Sequence, residues 1–267
     1  MGLYTGKVIV LTGASSGIGL ALALALAEQR ARLVLAARSQ AALEEVAQAC
    51  QAKGADALVV PTDVASPEAC RALIEKAVAR FKVLDVLVNN AGIGMIARFD
   101  ELHDLSVYEN LMKVNYLGCV YPTYHALPHL KASRGQIVAV SSLAGITGVP
   151  TRTGYAASKH ALFGFFDSLR IELRDTGVSV TVVAPYFVRS EIHRRATGPD
   201  GKPLGTSPMK EAEIMTAEDC AAAIVRAMEK RQRQLIMTSR ARLLRFVRLV
   251  APGLIDRIAA KAVREGK

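Results

Sequence analysis

Two stretches of this sequence carry residue types and spacings that can do chemistry. The first is TGASSGIG at 12–19, where Gly13, Gly17 and Gly19 stand between the apolar run VIVL and LALALALAEQ. Glycines let a backbone turn approach a ligand closely, and a turn that opens a helix presents N–H groups to phosphate. The gaps do not fit the dinucleotide fingerprint G-x-G-x-x-G. A nucleoside-triphosphate loop is also absent, since Ile18 stands where its second glycine would be. The second stretch is SSLAGITGVPTRTGYAASKHALFGFF, in which Tyr155 and Lys159 lie four residues apart and so share a helix face. Ser142 precedes the tyrosine at the end of an apolar run. A phenol, an ammonium and a hydroxyl brought together are candidates for acid–base work at oxygen. Tyr-x-x-x-Lys alone is a weak sign in a chain with seven tyrosines; its place after the fifth strand, with Ser142 upstream, strengthens it. Ser141 competes with Ser142, but the spacing to Tyr155 favours the latter.

The elements that must position these residues follow from hydrophobic patterning. Strands are expected at 7–12, 32–37, 56–60, 84–88, 135–141, 178–184 and 234–238. Helical segments are expected near 18–29, 40–53, 67–81, 105–130, 154–175 and 217–230. The strands read as continuous apolar runs such as RLVLAA and VSVTVVA, as in a parallel sheet with helices on both faces. The expected fold is a single-domain α/β protein, a Rossmann-like, doubly wound, parallel seven-stranded sheet. Residues 1–238 form its body, with a polar, Gly/Pro-rich lid at 189–215; residues 239–267 add a basic amphipathic helical extension.

At 267 residues and 51% hydrophobic content the chain can bury a large core. Residues 8–27 are apolar, yet the glycine turn interrupts them and only Lys7 precedes them, which argues against a membrane span or leader. Cys50, Cys70, Cys119 and Cys220 are far apart, so neither a disulfide framework nor a zinc site is indicated, and a cytoplasmic setting is expected. His125 and His129 are four apart, but Pro128 intervenes and no glutamate completes a metal motif; no metal is expected. The net charge is +10, of which residues 226–267 carry +9. The body is neutral, and the basic tail has little aromatic company, which speaks against nucleic acid.

In such a sheet the ligand sits beyond the carboxyl ends of the strands, with its pyrophosphate at the first strand–helix turn. An acidic residue at the end of the second strand would meet the ribose hydroxyls of NAD. Here Ala37 and Arg38 stand there, and an arginine fork suits a 2′-phosphate. NADP(H) is the expected cofactor.

TGxxxGIG, the NNAG at 89–92, Asn115, Ser142 and Tyr155-x-x-x-Lys159, in this order, resemble the short-chain dehydrogenase/reductase family from about Thr5 to residue 238. SSLAG and YAASKHALFGFFDSLRIEL look most like its NADP-dependent, hydroxysteroid-dehydrogenase-like members. The resemblance implies that Tyr155 is the general acid/base and that Lys159 favours its phenolate and bonds the nicotinamide ribose. It implies that Ser142 orients the substrate oxygen and that Asn115 holds a water feeding protons to Lys159. The implied cofactor contacts are Gly13, Ser15, Ser16, Gly17, Ile18 and Gly19, then Arg38, then Asp63 and Val64. Asn90, Ala91, Gly92, Tyr155, Lys159, Pro185, Val188 and Ser190 complete them. Read from residue type alone, Asp63 also fits a loop cap, and Asn89 and Asn90 fit ties between strand edges.

One departure matters: the run PYFVRSEI puts Tyr186 where the family usually has Gly, and Ser190 where it has Thr. Either the loop runs differently, or Tyr186 is a pocket wall. Candidate walls are Ile93, Ile96, Leu143, Ile146, Val149, Tyr186, Phe187, Ile192, Met209 and Met215, which favour a hydrophobic carbonyl/alcohol substrate. Arg152 could bind a substrate carboxylate, but a solvated place at a helix start is the expectation. A 3-oxoacyl-thioester (acyl-carrier) reductase is the alternative, against which the lid and tail argue. A non-catalytic NADP-binding protein would be expected to lack Tyr155 or Lys159. The family pairs the helices at 105–130 and 154–175, so a homodimer or homotetramer is expected. In the tail, Arg242, Arg245 and Arg248 are expected opposite Leu243, Leu244, Phe246, Val247 and Val250. Leu254, Ile255, Ile258 and Ala262 are likewise set against Arg257, Lys261 and Arg264. Packing over the pocket, subunit contact and lying on an anionic membrane surface compete for 239–267; the expectation is that it covers the pocket mouth and makes weak peripheral membrane contact.

Overall fold

The computed structural model describes residues 2–207 and 214–265. Its centre is a seven-stranded sheet in the order β3-β2-β1-β4-β5-β6-β7. The strands are β1 (Val8–Thr12), β2 (Arg32–Ala37), β3 (Asp56–Pro61), β4 (Val86–Asn89), β5 (Gln136–Val140), β6 (Ser179–Ala184) and β7 (Gln234–Ile236). All neighbours are parallel. This is the expected architecture, with β4 starting two residues later and β7 ending two residues earlier than the patterning suggested.

The helices are α1 (Gly17–Glu28), α2 (Gln40–Ala52), α3 (Pro67–Phe81), α4 (Ser106–Leu111), α5 (Gly118–Ser133), α6 (Thr153–Glu172) and α7 (Ala217–Glu229). Two more, α8 (Ser239–Val250) and α9 (Pro252–Arg264), close the chain. Alternation along β1 splits the core into two layers. Ile9 and Leu11 pack with α1, α2 and α7, while Val8 and Val10 face α3, α5 and α6. Helix α1 is apolar nearly all round because it lies deep between the sheet and α7; Leu22 and Leu26 are fully buried. Local chemistry starts the helices: Ser66 accepts the amide of Ala69 at 3.1 Å, and Pro67 and Glu68 suit the first turn of α3.

The single helix expected over 105–130 is corrected. A π-helical turn, Met112–Leu117, separates α4 from α5. Asn115 sits in it, its side chain drawn into tertiary hydrogen bonds. Beyond it Pro122 cannot donate to the Gly118 carbonyl, so the regular ladder is interrupted.

The chain leaves β1 for β2 and β3 on one side, then returns to β4 on the other. The crevice beyond β1 and β4 is where such sheets take ligands. The described parts of the expected lid are pinned over it: Met95 bridges Thr197, and Val188 bridges Met215. Thr238 caps α8 by accepting the amide of Ala241 at 3.1 Å. Ala241 then packs with Ala184, Ile236, Leu143 and Ile146, which holds the tail against the body.

Candidate active site

A cavity of about 1180 Å³ opens at the carboxyl ends of the strands. Its floor is the turn after β1. Gly13 and Gly17 have φ of +67° and +54°, a region in which a side chain is strained. A Cβ on Gly13 would stand 2.8 Å from Ala91 Cα, and one on Gly17 would stand 3.0 Å from Ser190 Cβ. Gly19 departs from expectation. It is absent from the cavity wall and buried in the first turn of α1, where a Cβ would stand 2.0 Å from the Gly13 carbonyl oxygen. Its role is to let helix and turn touch.

Thr12 locks this turn to the NNAG segment, a function its sequence position did not announce. Its hydroxyl accepts the amides of Asn90 and Ala91 at 3.0 and 3.1 Å. Asn90 Nδ2 returns bonds to the Thr12 and Gly13 carbonyls at 3.0 and 3.2 Å. Asn89 is buried and donates to Thr123 Oγ1 at 2.9 Å, so both asparagines tie elements together.

Ser15, Ser16 and Ile18 line the cavity beside these glycines, with Arg38, Asp63, Val64, Asn90, Ala91 and Gly92. Ser16 stands at the N-cap of α1 without a side-chain hydrogen bond to its first turn. Arg38 is exposed at the rim, directly after β2. Asp63 Oδ1 accepts the amide of Ala65 at 3.0 Å, so this carboxylate both shapes its loop and faces the cavity.

Ser142, Tyr155 and Lys159 share the same wall, brought there by the end of β5 and the first turns of α6. Ser142 Oγ accepts the amide of Ala144 at 3.1 Å and caps a short 3₁₀ turn, Leu143–Gly145. Ser141 is buried and donates to the Lys159 carbonyl at 2.9 Å, a tie between β5 and α6. Lys159 is itself buried; its ammonium donates to the Val140 carbonyl at 3.0 Å and lies 5.8 Å from the centre of the Tyr155 ring. A cation so placed in a region of low polarity acts on the ring and on whatever enters beside it.

Asn115 stands close to Lys159, on the far side of Gly92. It is fully buried behind the wall, where it accepts the Ile93 amide and donates to the Ile93 carbonyl and Ser158 Oγ. Both its donor hydrogens are thereby used. A Cβ on Gly92 would stand 3.2 Å from Asn115 Oδ1 and 3.4 Å from Lys159 Nζ, so only a bare backbone passes between them.

Pro185, Val188 and Ser190 line the cavity after β6. Tyr186 does not occupy the left-handed region, so this loop makes no demand for glycine there. Its ring meets Phe187 edge-on at 4.9 Å and both line the cavity, which makes Tyr186 a wall. Ile93, Leu143, Ile146, Val149 and Ile192 line it too, whereas Ile96 and Met215 are absent from the wall. Met209 lies outside the described residues. Arg152 is not solvated as expected: its guanidinium stacks 5.4 Å over Phe187 on the cavity wall. Burial lowers its pKa, opposed by the negative charge that Tyr155 can carry. Just before it, Thr151 has a φ of +64°, a strained conformation for a β-branched residue, and its carbonyl accepts the Ala97 amide at 2.9 Å.

The tail completes the wall. Leu244, Ile255, Ile258 and Ala262 reach it, but so do Arg245, Arg248 and Lys261, which the helical pattern had put on the opposite side. The correction has a packing cause: small Ala241 is the buried contact of α8, and turning it inward carries Arg245 and Arg248 with it.

Known proteins resemble this arrangement. A family model described as short chain dehydrogenase matches residues 7–199. The "dehydrogenase/reductase SDR family protein 7-like" of Dictyostelium discoideum is 34% identical over 264 residues, covering 97% of this chain and 82% of its own length. An "11-beta-hydroxysteroid dehydrogenase A" of Sesamum indicum is 37% identical over 257 residues, covering 94% of this chain and 74% of its own. Among solved structures, a short chain dehydrogenase/reductase from Burkholderia phymatum in complex with NAD superposes with a TM-score of 0.83 at 26% identity, covering 95% of this chain and 96% of that one. An alcohol dehydrogenase from the archaeon Thermococcus sibiricus, complexed with 5-hydroxy-NADP, gives 0.73 at 29% identity over 86% of this chain and 93% of that one.

Proposed function

The chain belongs to the short-chain dehydrogenase family, an oxidoreductase family that uses nicotinamide cofactors, and from that premise we propose that it interconverts a hydrophobic ketone or aldehyde and its alcohol with NADP(H). One observation carries the reading: a single cavity wall joins the Gly13–Gly17 turn and Arg38 to Ser142, Tyr155 and Lys159, and then to apolar side chains. Pockets for single small ligands run to ~1,000 Å³, so about 1180 Å³ suits a cofactor and a substrate together.

The residues fit the cofactor. Side chains at Gly13, Gly17 or Gly92 would crowd the turn, and the open N-terminus of α1 suits a pyrophosphate. Backbone at Gly13 and Ser15 to Ile18 would hold that group, Asp63 and Val64 would flank the adenine, and Val188 would meet the carboxamide. Arg38 would pair with a 2′-phosphate, and no acidic side chain at Ala37 opposes it. When bound, the nicotinamide supplies or accepts the hydride.

In reduction, Ser142 donates a hydrogen bond to the substrate carbonyl and Tyr155 passes its phenolic proton to the same oxygen. Oxidation runs the proton the other way. Lys159 stabilises the phenolate left behind. Ile146, Val149, Phe187 and Ile192 shield the reacting carbon from water and select apolar substrates. A panel of ketones, alcohols and 3-oxoacyl thioesters, followed by nicotinamide absorbance with NADPH and NADH, tests the reading. Turnover of lipophilic ketones with NADPH is expected; preference for thioesters or for NADH would overturn the corresponding half.

A further inference from the structure

The inner side of α8 and α9 lines the cavity, yet their outer side is left open. Leu243, Phe246, Leu249, Val250 and Leu254 are 63, 68, 79, 84 and 50% exposed, five large apolar side chains within twelve residues. In α8, positions 243, 246 and 250 recur at helical spacing and form one stripe, directly opposite Ala241, Leu244, Arg245 and Arg248, which face the body and cavity. The sequence pattern grouped Leu244 with this stripe; the fold removes it and adds Leu249. A patch of this kind exposed to water marks an interaction site.

Charge chooses the partner. Of the tail's basic residues Arg245, Arg248 and Lys261 line the cavity, but Arg242 is exposed beside the stripe, and the acid carried by α8 and α9 is Asp256. Arg257 and Arg264 are exposed on the helix that follows the stripe. A twofold contact between two copies through this surface would bring like charges together, whereas an anionic lipid surface meets both the charge and the apolar stripe. Among the described residues no helix is long and apolar enough to cross a membrane, so the fitting mode is a helix lying in the interface.

We infer that α8, with Leu254 of α9, docks on an anionic lipid bilayer, and that the same two helices deliver lipophilic substrate from that bilayer to the cavity they line. The delivery half rests on the oxidoreductase reading above; the docking half does not. Because Leu244, Ile255 and Ile258 reach the cavity while Leu243, Phe246 and Leu249 face outward, a small tilt of the helix pair would join bilayer and pocket.

The test is flotation of the full chain with phosphatidylcholine vesicles, with and without one quarter phosphatidylserine. Variants are Phe246→Ser/Leu249→Ser and Arg257→Glu/Arg264→Glu, none of which lines the cavity. Wild type is expected to float with the anionic vesicles, the apolar variant to bind at least tenfold less, and the charge variant to lose its preference for phosphatidylserine. Raising the salt tenfold should weaken wild-type binding several-fold. Wild type that stays unbound, or an apolar variant that floats equally well, overturns docking. So does a smaller assembly of the apolar variant in sedimentation without vesicles, which would mark a contact between copies.

Turnover of a short water-soluble ketone by NADPH, measured without vesicles, should be equal in all three proteins. With a long-chain ketone delivered in anionic vesicles, both variants should be slower by several-fold; equal rates would overturn delivery. Binding without any turnover would count against the oxidoreductase reading alone.

Discussion

Asn115 grips the backbone of Ile93 from both sides: its Oδ1 accepts the Ile93 amide at 2.8 Å and its Nδ2 donates to the Ile93 carbonyl at 3.0 Å. The second Nδ2 hydrogen reaches Ser158 Oγ at 2.9 Å, one residue before Lys159. One buried amide thus spaces the segment after β4 from the helix that carries Tyr155 and Lys159.

Asn115→Leu keeps the branching at Cγ and removes all three bonds. Buried groups left unpaired cost about 1–3 kcal/mol each, and in a domain of this size each kcal/mol moves the thermal midpoint by ~2–4 °C. We expect calorimetry to show a midpoint lower by at least ~4 °C. An unchanged midpoint would mean that the Ile93 clamp contributes nothing.

Tyr155→Phe removes the proposed proton donor and leaves the ring in place. Turnover is expected to fall by at least ~10², while NADPH titration by fluorescence shows binding within about twofold of wild type. Lys159→Ala should damage both, since its ammonium lies 5.8 Å from the ring centre and, in our reading, bonds the nicotinamide ribose. Near-normal turnover in Tyr155→Phe contradicts the assignment.

Arg38 decides between the two dinucleotides in our reading. NADP(H) is expected to bind at least tenfold more tightly than NAD(H), about 1.4 kcal/mol, and Arg38→Ala should erase most of that gap. Calorimetric titration of both cofactors on both proteins measures it. Equal affinities in the wild type rule the role out.

The four thiols make the fold sensitive to alkali. Burial pushes Cys50 and Cys119 up to about 11, with Lys53 and Lys159 respectively opposing, and pushes Cys70 and Cys220 up to about 12, against an ordinary value of 9.0. Unfolded thiols ionise near 9 and the folded ones do not, so the unfolded state binds fewer protons above that pH. Their contribution is therefore full below pH 9 and is lost as pH rises toward 11–12. Urea unfolding at pH 8, 9.5 and 10.5 should show falling stability, with a shallower fall in a Cys70→Ala/Cys220→Ala variant. Parallel slopes in the two proteins would assign the effect to other groups.

Assembly is the last expectation. Tyr124 of α5 and Ile171 of α6 are 74 and 73% exposed on the helices that family members pair. A homodimer or homotetramer is expected in sedimentation at micromolar concentration, shifted toward monomer by Tyr124→Asp. A wild type that sediments only as a monomer contradicts this.

By itself the sequence determined the sheet. Runs such as VIVLT and SVTVVA, β-branched and alternating with helical patterns, read as buried parallel strands, and the glycines of the first turn and Tyr155-x-x-x-Lys159 are local spacings. Other features were decided at a distance. Gly19 and Gly13 both read as ligand contacts, yet one packs on the other's carbonyl. Asn115 read as a water holder, and its bonding to Ile93 and Ser158 becomes visible only once strand and helix are side by side. The tail shows the limit most clearly. Helical periodicity sorts residues into faces, but which face turns inward depends on which residue fits the body. Ala241 is small enough to bury, so Arg245 and Arg248 line the cavity while Phe246 and Leu249 face out. Steric fit between distant elements made that choice, and a one-dimensional pattern carries no record of it.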